Sequence, residues 1–194
     1  MKKYLSAAAG VTAVAAALAL AAPSAVGASA GSVTATAAPV AAAAQAEAAP
    51  AKAPAPTPIR TVRPGERVDA GRGYTVWLTK KGKHWSDPDG FENFRSVVDG
   101  NIDRSEPGVS HQSEGTAAGV FHSGLYYGTT KTGRVELTDS KGRRTVATLL
   151  SLPGRSDWGV WYAHTRPAAG GDGVGVALYD RRGALLADLP AWPS

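Results

Sequence analysis

The chain contains no cysteine. That excludes a disulfide framework, a thiolate metal site, a cysteine nucleophile and a lipid-carrying cysteine behind a leader peptide. A domain made this way has to be stable on its core alone. Recurring catalytic signatures are missing too. There is no G-x-S-x-G elbow, and the four histidines, His84, His111, His122 and His164, show no H-E-x-x-H or other ligand spacing. No metal and no cofactor is therefore expected. The sequence pI is about 9.6, yet the basic residues are scattered and do not form one run, so nucleic acid is not an expected partner.

What is there begins with a layout of its own. Met1-Lys2-Lys3 is followed by an apolar run from Leu5 to about Ala22, then by Pro23 and the small residues up to Ala28-Ser29-Ala30. Positive, apolar, then small-x-small predicts a secretory signal peptide over residues 1–30, cleaved after Ala28 or Ala30. The other reading, a membrane anchor, suits it less, because the core is Ala-rich and short for a stable span. Lys2-Lys3 is not a twin arginine, which favours the general secretory route. The mature product is expected to be soluble, secreted to the extracellular or cell-wall space, and without a membrane span. Residues 31–58 are almost entirely Ala, Pro, Thr, Ser and Val. The Ala-Pro repeats predict an extended or disordered linker, with little to bury.

Residues 59–194 have the size of one domain, long enough to bury an independent core. Tyr74–Thr79, Val120–Tyr127, Arg134–Thr138, Thr145–Leu152, Trp158–His164, Val174–Tyr179 and Ala184–Leu189 read as strands, bounded by Gly, Pro and Asp. Arg134–Thr138 and Thr145–Leu152 are expected to form a hairpin through Asp139-Ser140-Lys141-Gly142. Two further turns, Lys80-Lys81-Gly82 and Asp180-Arg181-Arg182-Gly183, look alike, each a type I turn closed by a bulge. One short helix is predicted after Asp87-Pro88, with Phe91, Phe94, Val97 and Val98 at helical spacing and Gly100 at its end. Seven to nine short strands give an all-β fold with this one helix: a β-sandwich of immunoglobulin-like kind, with an open barrel as second choice. Trp158–His164 reads as its central strand.

Each candidate site competes with a plain structural role. Asp87-Pro88-Asp89-Gly90 lacks the later carboxylate of a calcium loop. Gly171-Asp172-Gly173-Val174-Gly175 leads into a strand, so no helix N-terminus faces a phosphate. Ser123 lies on a predicted strand, and no particular His or Asp is singled out to pair with it. Among Trp77, Trp85, Trp158, Trp161 and Trp192, alternation sets Trp77 opposite Tyr74 and Val76, and Trp161 opposite Trp158 and Val160. Trp77, Trp161 and His164 are the ligand-binding candidates, since exposed aromatics stack on sugar rings. Packing in the core is the competing role. The expected function is that of a non-enzymatic binding or interaction domain, its partner a cell-wall glycan or an extracellular protein. The alternative is a secreted hydrolase with a site assembled from distant residues.

The leader, the Ala/Pro tether, Leu152-Pro153-Gly154-Arg155 running into Trp158-Gly159-Val160-Trp161-Tyr162, and Leu178-Tyr179-Asp180-Arg181-Arg182-Gly183 together resemble uncharacterised exported β-rich proteins of high-GC actinobacteria. The resemblance implies origin and export. It carries no activity, so no functional residue is transferred. Leu189-Pro190-Ala191-Trp192-Pro193-Ser194 is not a sortase signal.

Overall fold

The computed structural model describes residues 54–116, 118–154, 156–167 and 173–191. The chain divides into Met1–Ala48 and Ala49–Ser194, and every described residue belongs to the second unit. The expected signal peptide, most of the expected linker, and Trp192 lie outside the described residues. In chain order the strands are β1 (Ile59–Thr61), β2 (Val68–Gly71), β3 (Tyr74–Thr79), β4 (Gly82–Ser86), β5 (Glu92–Ser96), β6 (Gly108–Val109) and β7 (Gln112–Thr116). Then follow β8 (Gly119–Tyr127), β9 (Thr132–Thr138), β10 (Arg144–Val146), β11 (Thr148–Ser151), β12 (Gly159–Thr165), β13 (Gly175–Asp180) and β14 (Leu185–Leu189). The described residues are all-β. None of their segments is a helix long and apolar enough to cross a membrane.

Three sheets form. The six-stranded one has the order β1-β11-β12-β8-β6, with β7 also on β8; the four-stranded ones are β10-β9-β13-β14 and β2-β3-β4-β5. Two apolar clusters join them. Val76, Leu78 and Trp85 of the β2–β5 sheet meet Phe121, Leu125, Leu150, Trp158 and Val160. Val135, Leu137, Val176 and Leu178 of the β9–β14 strands meet Tyr126, Leu149, Trp161 and Ala163. The six-stranded sheet thus supplies apolar side chains to both cores. That explains why Trp158–His164 is aromatic and apolar on both alternating faces, as strands covered on both sides are. It pairs with β11 on one side and with β8 on the other.

Three cross-strand pairs set an aromatic ring over a glycine: Gly108 with Tyr127, Gly124 with Trp161, and Gly159 with Tyr126. A Cβ on Gly124 would stand 1.8 Å from the Ser110 carbonyl oxygen and 2.6 Å from the Trp161 indole. Only a glycine fits beneath that ring.

Three expectations are corrected. Asp87–Gly100 is not a helix. Gly90 N–H donates to the Asp87 carbonyl at 3.1 Å, Asp87 N–H to the Phe91 carbonyl at 3.1 Å, and Asp87 Oδ1 accepts Phe91 N–H at 2.8 Å. These bonds close a tight hairpin turn, and Glu92–Ser96 pairs with β4. The same D-x-x-G turn recurs at Asp139–Gly142 and Asp180–Gly183, with Gly90, Gly142 and Gly183 all at positive φ. Lys80-Lys81 differs from the expected form: it is a two-residue loop, with Thr79 paired directly to Gly82. The third correction concerns Thr145–Leu152, which is not one strand. Arg144–Val146 pairs with β9, the chain steps across at buried Ala147, and Thr148–Ser151 joins the other sheet beside β12.

Candidate functional site

A cleft of about 530 Å³ opens between the β9–β10 turn and the C-terminal end of β12. Leu137 and Val174 are among its apolar lining, and its polar lining includes Lys141, Arg143, Arg144 and Arg166, the carboxylate Asp139, and His164 and Thr165. The local fold explains the convergence. Asp139 anchors its turn by accepting the N–H groups of Lys141 and Arg143 at 2.9 Å each, which sets Lys141, Arg143 and Arg144 along one short arc. β12 ends at Thr165, so Arg166 follows directly after the strand.

The charges there are unequally matched. Arg143 Nε donates to Asp139 Oδ2 at 2.6 Å, and the N–H groups and guanidinium of the turn hold that carboxyl below the usual carboxylate range. Arg144 lies 3.9 Å from Glu136, whose carboxylate already accepts Arg134 Nε at 2.5 Å, so this pairing neutralises Arg144 only in part. Lys141 and Arg166 have no carboxylate partner among the described residues. The cleft therefore carries an excess of positive charge over a partly apolar floor.

His164, one of the three expected binding residues, borders this cleft. Its Nε2 donates to the Ala70 carbonyl at 2.8 Å, which leaves Nδ1 an acceptor with no partner among the described residues. Behind the rim runs a hydrogen-bonded chain that sequence reasoning missed. Thr165 Oγ1 donates to the Arg166 carbonyl at 3.2 Å and so accepts from His122 Nε2 at 2.9 Å. His122 Nδ1 then accepts from His111 Nε2 at 3.0 Å. Burial first, and then the neighbouring histidines, lower the pKa of His122 to about 4, so it stays neutral and the direction of the chain is fixed. The register places Ser113–His122–Ala163 in one row; nothing in the linear spacing pairs His111 with His122.

The other two expected residues lie elsewhere. Trp161 is 0% exposed, stacked on His111 with ring centres 5.8 Å apart. Trp77 does face away from Tyr74 and Val76, but the exposure expected for it is not found. The Arg67 guanidinium sits 3.9 Å over its ring and the His84 ring stacks at 5.2 Å, leaving 6% exposed. Trp85 and Trp158 are buried as well.

One further pair has the form of a nucleophile with its base. Lys83 Nζ donates to Ser123 Oγ at 2.7 Å, and burial, with the charge of Arg95, lowers the Lys83 pKa to about 7. Both residues are buried, and neither lines the cleft at Asp139–Arg144. No group of three or more His, Asp or Glu side chains suited to hold a metal converges among the described residues. No protein family, curated protein or solved structure matches this chain.

Proposed function

We propose that this chain is a secreted, non-enzymatic binding domain, and that its ligand is an anionic group taken in the cleft between Asp139–Arg144 and His164–Arg166. We read the stacking of the three sheets as a β-sandwich of layers that holds the two sides of this cleft in place. The carrying observation is the pair of cations, Lys141 and Arg166, that have no carboxylate partner among the described residues. Exposed cations beside an apolar floor favour phosphate or carboxylate, and draw it in by long-range attraction. The leader-like N-terminus and Ala/Pro tether support a site of action outside the cell. There the fitting partner is a cell-wall glycan polymer bearing phosphate or carboxylate.

The test is retention of the protein on immobilised phosphodiester-bearing or carboxylate-bearing polysaccharide, with chitin and cellulose as neutral controls. Binding should be confined to the anionic polymers and should weaken with rising salt. Lys141→Glu and Arg166→Glu should each weaken it about tenfold, equal to about 1.4 kcal/mol. Equal retention on neutral and anionic polymers, or no effect of either substitution, removes the proposal.

A further inference from the structure

Strand β5 is the outer edge of the β2-β3-β4-β5 sheet, and among the described residues it pairs on one side only, with β4. Hydrogen bonds from Asp87 N–H to the Phe91 carbonyl and from Val97 N–H to the Lys81 carbonyl mark which pairs are bonded. In an antiparallel ladder the bonded pairs recur at every second residue. Asn93 and Arg95 therefore spend their main-chain groups on β4, while Glu92, Phe94 and Ser96 direct theirs to the open edge. Around that edge lie three large apolar side chains in solvent: Phe91 at 64%, Phe94 at 47% and Val98 at 63% exposed. Open edges with apolar side chains are places where another strand adds.

We propose that β5 pairs antiparallel with β5 of a second copy of this chain, about a twofold axis at Phe94. The register is self-complementary. Phe94 meets its own mate, Glu92 meets Ser96 of the other copy, and these are the residues whose main-chain groups are free, giving about six new bonds. On the other face Asn93 meets Arg95, so no like charges stand directly opposed. The two sheets merge into one of eight strands, within the usual range. The row Trp77–His84–Phe94, with ring centres 5.2 and 4.5 Å apart, then runs on through Phe94 and His84 of the second copy to its Trp77.

Sedimentation velocity on the full chain should give a dimer. Phe94→Pro should give a monomer with an unchanged circular dichroism spectrum, because the lost N–H points away from β4 and proline is tolerated at such an edge position. The absence of native cysteine permits a second measurement. Under mild oxidation, Phe94→Cys should form disulfide-linked dimers at least about tenfold faster than Phe91→Cys, despite the greater exposure of position 91. A monomeric wild type, a dimer that survives Phe94→Pro, or equal cross-linking at positions 94 and 91 overturns the proposal.

Discussion

Lys83 stands at an inward strand position opposite Leu78, where an apolar side chain would ordinarily pack. Among the described residues its hydrogen-bond partner is Ser123, which is neutral, and the charge of Arg95 repels it. In the unfolded chain a lysine keeps its proton to about pH 10.5, while in the folded protein Lys83 releases it near pH 7. Between these values the unfolded state binds more protons, so stability rises with pH across that window and the burden is fully present below it. Lys83→Met should accordingly stabilise the protein by about 1–4 kcal/mol at neutral pH, less whatever Ser123 loses. The gain should shrink as pH rises from about 7 towards 10.5. Thermal melts of both proteins across pH 6–10 check this; a gain independent of pH would show that packing alone is at work. The burial of Lys83 was legible in part. Lys83 and Trp85 share the parity of an inward face, but the run Lys80-Lys81-Gly82-Lys83 reads locally as a polar turn, and that reading hid it.

At the scale of elements, the D-x-x-G turns show how the sequence both instructs and misleads. Two of them were read as turns. The third, Asp87-Pro88-Asp89-Gly90, also carries the marks of a helix start, and Phe91, Phe94, Val97 and Val98 fit helical spacing. What decides is the Asp87 side chain, which caps Phe91 N–H, and Gly90, whose positive φ ends any helical path. The same conformation at Gly142 has φ 74° with nothing within 4 Å of a Cβ placed there. Gly142→Ala therefore tests backbone strain free of any clash, and should cost about 1–2 kcal/mol by denaturant unfolding. No measurable cost would mean the turn relaxes to another form. The step at Ala147 was beyond local reading, because an eight-residue run of strand-forming residues looks the same whether it stays in one sheet or divides between two.

For the molecule as a whole, the sheet that feeds both cores should open last. Amides of β8, β11 and β12 are expected to exchange with solvent more slowly than those of β4, β5 and β14, which lie in sheets that supply only one core. Exchange measured by mass spectrometry checks this, and faster exchange in β12 than in β4 would contradict it. The central place of Trp158–His164 was readable from its composition. The cleft was not, because Lys141, Arg144 and Arg166 belong to segments that only the step between sheets brings together. The rings laid over Gly108, Gly124 and Gly159 bear on how such a sequence drifts over time. At Gly108 the three atoms nearest a new Cβ all belong to Tyr127, so a side chain becomes possible there only once that ring goes; at Gly124 and Gly159 the Ser110 or Leu150 carbonyl oxygen also bars it. Lineages of this fold should therefore change Gly108 and Tyr127 together or keep both, while positions 124 and 159 stay glycine whatever ring faces them, and the pairing of those strands would be recorded in which positions never move.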